Sequence, residues 1–126
     1  MDELRIALTL GALALLGCTG GACPSSPGLG WVSPTDGATL GAADDEDLNE
    51  PGIQHTLEVE GCGLEDGQAL ELRIEEPFET TYATGVLRDG RWRVQVPLIV
   101  GDVRLRARRA DGSVESDPLR LRVTLD

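Results

Sequence analysis

From Leu29 onward, apolar and polar residues alternate with a period of two rather than 3.6, and turn residues recur every eight to twelve positions. Trp31–Ser33 forms a first short strand, Pro34-Thr35-Asp36-Gly37 turns the chain, and Ala38–Leu40 continues it briefly. Residues 41–52 make an acidic loop. Over Ile53–Glu60 the side chains of Ile53, His55, Leu57 and Val59 share one face, opposite Gln54, Thr56, Glu58 and Glu60. Leu70, Leu72 and Ile74 point inward from a strand over Gln68–Glu75, which Glu76-Pro77 interrupts, and Thr80–Leu87 is a Thr-rich strand carrying Tyr82. Asp89-Gly90 is the strongest hairpin signal, because both residues accept the positive φ of a type I′ turn. Beyond it Trp92, Val94 and Val96 face inward. Val103, Leu105 and Ala107 form the next inward row, alternating with Arg104, Arg106 and Arg108, and Asp111-Gly112 makes a second turn. Leu119, Leu121, Val123 and Leu125 end the chain against Arg120 and Arg122. The pattern predicts an all-β fold of about seven antiparallel strands, with no helix after the N-terminal segment. Two sheets packed face to face are the economical arrangement, since each strand has one apolar and one wet face.

The first residues read differently. Met1–Leu16 carries Arg5 and then an apolar run from Ile6 to Leu16. Eleven residues at about 1.5 Å each fall well short of a bilayer core of about 30 Å, so a removable helical signal peptide is expected rather than a membrane span. Thr19 to Gly30 is small, polar and rich in Gly, Ser and Pro, as a flexible tether is.

Leu15-Leu16-Gly17-Cys18 resembles the lipobox of bacterial lipoproteins. The resemblance implies a signal peptide over residues 1–17, with Cys18 becoming the acylated first residue of the exported chain. It further implies a tether over 18–30, a domain over 31–126, and anchoring at the outer membrane or cell surface, with the periplasmic face as an alternative. Several acyl chains on one residue anchor far more firmly than one. The run from Ser33-Pro34-Thr35-Asp36-Gly37-Ala38-Thr39-Leu40 through Pro51-Gly52-Ile53-Gln54 is similar to bacterial immunoglobulin-like repeats of surface lipoproteins. So is the later Gly101-Asp102-Val103-Arg104-Leu105-Arg106-Ala107. That likeness implies an immunoglobulin-like antiparallel β-sandwich without the antibody-type pair of core cysteines, and it says little about ligand.

Charge narrows the partners. The net charge is −11; losing residues 1–17 removes Asp2, Glu3 and Arg5, so −11 becomes −10. Such a chain repels phosphate backbones, which argues against nucleic acid. All basic side chains are Arg, which excludes lysine-based covalent chemistry. His55 is the only histidine, and with no second base or nucleophile elbow no triad can be assembled, so an enzyme is not expected. Its inward parity suits a core or rim imidazole. Trp31 and Trp92 could form a sugar platform, but Trp92 has core parity and Trp31 is the freer. The Arg104, Arg106 and Arg108 row suits a solvated sheet face answering acids across the strand.

Two further clusters are candidates. Asp44, Asp45, Asp47 and Asn49 place oxygens along one loop, as calcium requires. Asp45, Asp47 and Asn49 match the start of an EF-hand, but Glu50 occupies its glycine position and Thr56 its final glutamate position, so no EF-hand is present. A solvated acidic turn is the simpler reading and another kind of calcium loop the alternative. Cys23 and Cys62 remain once Cys18 is lipidated, and an even remainder outside the cytoplasm suggests a disulfide. In sandwiches of the kind resembled, the first strand starts where Ile53–Glu60 ends, which brings the two together. Unpaired thiols, or a bond from Cys23 to a partner chain, are the alternatives. The function that follows is a non-enzymatic, lipid-anchored envelope module that binds protein or glycan or serves as a structural component. A calcium-stiffened spacer and a carbohydrate-binding accessory domain are the other readings.

Overall fold

The computed structural model describes residues 22–126. The expected signal peptide over 1–17 and the expected lipidation site Cys18 lie outside them. The described chain is all-β: β1 (Gly28–Ser33), β2 (Thr39–Leu40), β3 (Ile53–Cys62), β4 (Ala69–Glu76), β5 (Thr80–Val86), β6 (Arg91–Leu98), β7 (Gly101–Arg109) and β8 (Leu119–Val123). A single 3-10 turn at Ala42–Asp44 interrupts the acidic loop. Among the described residues no helix is long and apolar enough to cross a membrane.

The strands form two sheets, one of three in the order β1-β3-β6 and one of five in the order β2-β8-β7-β4-β5. The period-two pattern is the cause. Leu29, Leu57 and Val59 from the first sheet meet Leu70, Leu72, Ile74, Leu105 and Leu119 from the second in one core, all of them essentially inaccessible to water. Burying each such side chain contributes about 1.5–3 kcal/mol. The Asp89-Gly90 hairpin has the expected positive φ at both residues, and Arg88 and Arg91 exchange both backbone hydrogen bonds at 2.9 Å. Asp66 clamps it from outside, its carboxylate accepting the Asp89 and Gly90 N–H at 2.9 and 3.2 Å.

Aromatic side chains bridge the two sheets on both sides. On one, the Tyr82 hydroxyl of β5 donates to the Pro97 carbonyl of β6, and Trp92 is buried against Gly85. On the other, Trp31 Nε1 of β1 donates to the Asp117 carbonyl ahead of β8 at 2.9 Å.

Three expectations need correction. β1 begins at Gly28, inside the stretch expected to be tether, and Gly28, Leu29 and Gly30 are buried. The Ala22–Cys23 backbone crosses directly over Gly30, where any Cβ would collide with it. β2 does not continue β1 in its sheet but crosses to the other one, pairing in parallel with β8 at Thr39–Arg122 and Leu40–Val123. Leu125 has inward parity but stands 70% exposed, because β7 pairing ends at Gly101–Val123 and the core ends with it.

Candidate functional site

The acidic loop is held by its own carboxylates. Asp44 Oδ2 accepts the Gly41 N–H at 2.9 Å, closing the 3-10 turn. Asp45 Oδ1 accepts the N–H of Asp47 at 3.1 Å and of Gln54 at 3.0 Å, which fastens the loop to the start of β3. Asp47 Oδ1 accepts the Asn49 N–H at 3.1 Å. The Asp45–Asp47 and Asp47–Asn49 contacts are Asx-type turns, in which short acidic side chains replace backbone partners. No three loop carboxylates bring oxygens within 4.8 Å of one another. In this geometry the carboxylates of Asp44, Asp45 and Asp47 are engaged with backbone N–H groups of the loop and of Gln54. Asp45→Ala is expected to lower stability by about 1–3 kcal/mol by leaving two N–H groups unpaired. Thermal melts are expected to be the same in EDTA and in added Ca²⁺; a calcium-dependent rise in melting temperature would establish the metal reading.

Glu46, a loop residue that sequence reasoning did not single out, does more than its neighbours. Its Oε1 accepts from Thr56 Oγ1 at 2.6 Å and from Gln95 Nε2 at 3.1 Å, and its Oε2 lies 3.4 Å from His55 Nδ1. The Thr56 hydroxyl, then Gln95 and His55, hold its carboxyl below the usual range against the opposing effect of burial. His55 lies half-buried at the rim, its Nδ1 3.0 Å from the Asp44 carbonyl. A carbonyl only accepts, so Nδ1 carries the proton in this contact. His55 thus joins loop to strand as a rim imidazole.

At the opposite end Cys23 is joined to Cys62 with the Cα atoms 6.2 Å apart. Strand register brings them together: Gly28 pairs with Cys62, so the chain that doubles back ahead of β1 passes the end of β3. Glu60 adds a second tie, its carboxylate accepting the Ala22 N–H at 2.8 Å. The Cys23, Cys62 and Glu60 atoms cluster closely, but the sulfurs are bonded to each other and the carboxylate is engaged, so this is a staple rather than a metal site.

The outer face of the five-stranded sheet carries the arginine row. Glu75, at a bulge in β4, places its carboxylate between Arg104 Nε at 3.0 Å and Arg106 Nε at 2.9 Å, while Glu71 meets Arg108 Nε at 3.0 Å. The expected answering acids are therefore in place. Burial pushes the Glu75 carboxyl up, but the hydrogen bonds and charges of Arg106 and Arg104 outweigh it and hold the group below its usual range. A depressed folded pKa contributes stability that is present above the unfolded value and lost as pH falls through the folded one. Glu75→Gln should therefore melt below the native protein at neutral pH, and circular-dichroism melts should show the gap narrowing as pH drops below the ordinary carboxylate range. A gap independent of pH would separate Glu75 from this linkage.

No protein-family model matches the chain, and no curated protein matches it. Among solved structures, the crystal structure of an engineered protein is similar, with a TM-score of 0.54 and 20% identity over 82% of this chain and 21% of that one. The chain thus spans about a fifth of that protein's length, and the likeness concerns fold alone.

Proposed function

We propose that the chain is an exported, lipid-anchored immunoglobulin-like module of a bacterial cell envelope, non-enzymatic, with a binding or structural role toward protein or glycan. The observation that carries this reading is the Cys23–Cys62 disulfide, since such bonds persist in oxidising compartments. Once those two are paired, Cys18 is the remaining cysteine, and it stands in the lipobox-like Leu15-Leu16-Gly17-Cys18. The strand order supports the immunoglobulin-like reading. β1, β3 and β6 make one sheet, and β5 joins the β8-β7-β4 sheet as the extra strands of variable-type domains do. The disulfide lies at one end of the three-stranded sheet rather than between sheets, so the antibody-type staple is replaced, not reproduced. A carbohydrate-binding accessory role is the weaker alternative, because Trp92 is buried and Trp31 is half-buried with its N–H engaged.

Intact mass of the membrane-extracted protein tests the anchor. The expected result is a chain starting at Cys18 with added acyl mass, lost in Cys18→Ala. An unmodified, soluble native product would overturn the anchor and leave a secreted two-sheet domain.

A further inference from the structure

Among the described residues, the large apolar side chains that stand open to water are Leu48 at 82% exposure, Phe78 at 50%, Val100 at 50% and Leu125 at 70%. They are scattered in sequence, yet the topology gathers them at one end of the domain. Ile53 pairs with Leu98 and Gly101 with Val123, so the acidic loop before β3, the Ile99-Val100 link after β6 and the segment after β8 share that end. The Ala42 N–H donates to the Asp126 carbonyl at 2.9 Å, which seats the segment holding Leu125 beside the loop holding Leu48. Phe78 lies in the turn between β4 and β5, at the same end because Glu76 pairs with Arg104 near the start of β7. The disulfide and the Ala22–Glu60 tie are toward the other end.

The rim around these side chains is acidic. The loop contributes its carboxylates from Asp44 to Glu50, and Glu76 and Glu79 flank Phe78. Arg104 and Arg122, the arginines nearest this end, are already paired with Glu75 and Asp102 at 3.0 Å. Apolar anchors inside a charged border are the anatomy of a protein-binding surface. We propose that this end docks a protein partner whose apolar recess is bordered by Lys and Arg. The charge decides the occupant. Anionic head groups and a second copy presenting the same end are repelled, and the arginine face of a second copy is occupied by its own Glu71 and Glu75. The inference deepens the binding-module reading above and rests on it.

The test is a titration of the isotopically labelled full chain with a short helix-forming peptide bearing a leucine stripe flanked by lysines, and with its glutamate counterpart. Amide shifts are expected in residues 44–50, 77–79, 99–100 and 124–126 with the lysine peptide alone. The affinity should fall roughly tenfold or more in the Leu48→Ser/Phe78→Ser double variant, which removes two of the four exposed anchors. Both side chains are exposed, so that variant should melt with the native protein. Absent binding, shifts centred elsewhere, equal binding of the glutamate peptide, or unchanged affinity in the double variant would each overturn the proposal. Repeating the titration on Cys18→Ala separates the two readings: the anchor fails by mass, the docking surface by the titration.

Discussion

Cys62→Ser is expected to lower the unfolding free energy by about 4 kcal/mol, the loop-closure entropy of cross-linking residues 39 apart on the chain-entropy model. For a domain this small that is a large share of a total of roughly 5–15 kcal/mol. The effect has a local part as well. Ala22–Cys23 covers the buried Gly30, so releasing it exposes the outer surface of β1, an edge strand of the three-stranded sheet. Urea unfolding of the variant and of the native protein with and without reductant measures the loss. Equal midpoints under oxidising and reducing conditions would remove the disulfide from the stability of the fold. Hydrogen exchange should then locate the first loss of protection in residues 22–33.

Trp92→Ala should cost about 3–5 kcal/mol, the range for emptying a buried aromatic site. Trp92 stands on β6 but reaches across the core to β5 of the other sheet, and the position that receives it is Gly85. A Cβ on Gly85 would overlap the indole nitrogen and lie 2.8 Å from Cε2. The ring is held by the core and cannot swing away, so Gly85→Ala should itself cost about 1–3 kcal/mol through overpacking. The two losses should not add. In the double variant the added methyl enters space the indole has left, so the sum of the single losses exceeds the loss in the pair. A double-mutant cycle by chemical denaturation reads this coupling directly, and additivity would break the proposed contact.

Much of this fold is written in alternation. Leu70, Leu72 and Ile74, or Val103, Leu105 and Ala107, face inward because a strand offers two faces and only one is dry. The turns at Asp89-Gly90 and Asp111-Gly112 are legible for the same kind of reason, since few residues accept positive φ. What alternation does not carry is which sheet a strand joins. β2 is two residues long, and its crossing to β8 depends on partners more than eighty residues away. Gly28 and Gly30 have no side chain to signal burial, so alternation does not mark the start of β1, which the Ala22–Cys23 crossing over Gly30 buries. The acidic loop was legible as a cluster, but whether its oxygens converge on an ion or on the loop's own N–H groups is a matter of backbone course. Asp45 accepts the N–H of both Asp47 and Gln54, partners that its position in the sequence does not reveal. The gathering of Leu48, Phe78, Val100 and Leu125 at one end is a property of topology alone.

The staple between Cys23 and Cys62 also sets how the domain bears tension. A pull applied from the N-terminal side of Cys23 against the far end of the domain does not load the edge strand β1 first. It enters through sulfur at Cys62, on β3, the central strand of its sheet with β1 on one side and β6 on the other. The segment from Cys23 through β1 is bypassed. Force then enters the sheet at its central strand, which two ladders hold, and reducing the disulfide moves the load to β1, which one ladder holds.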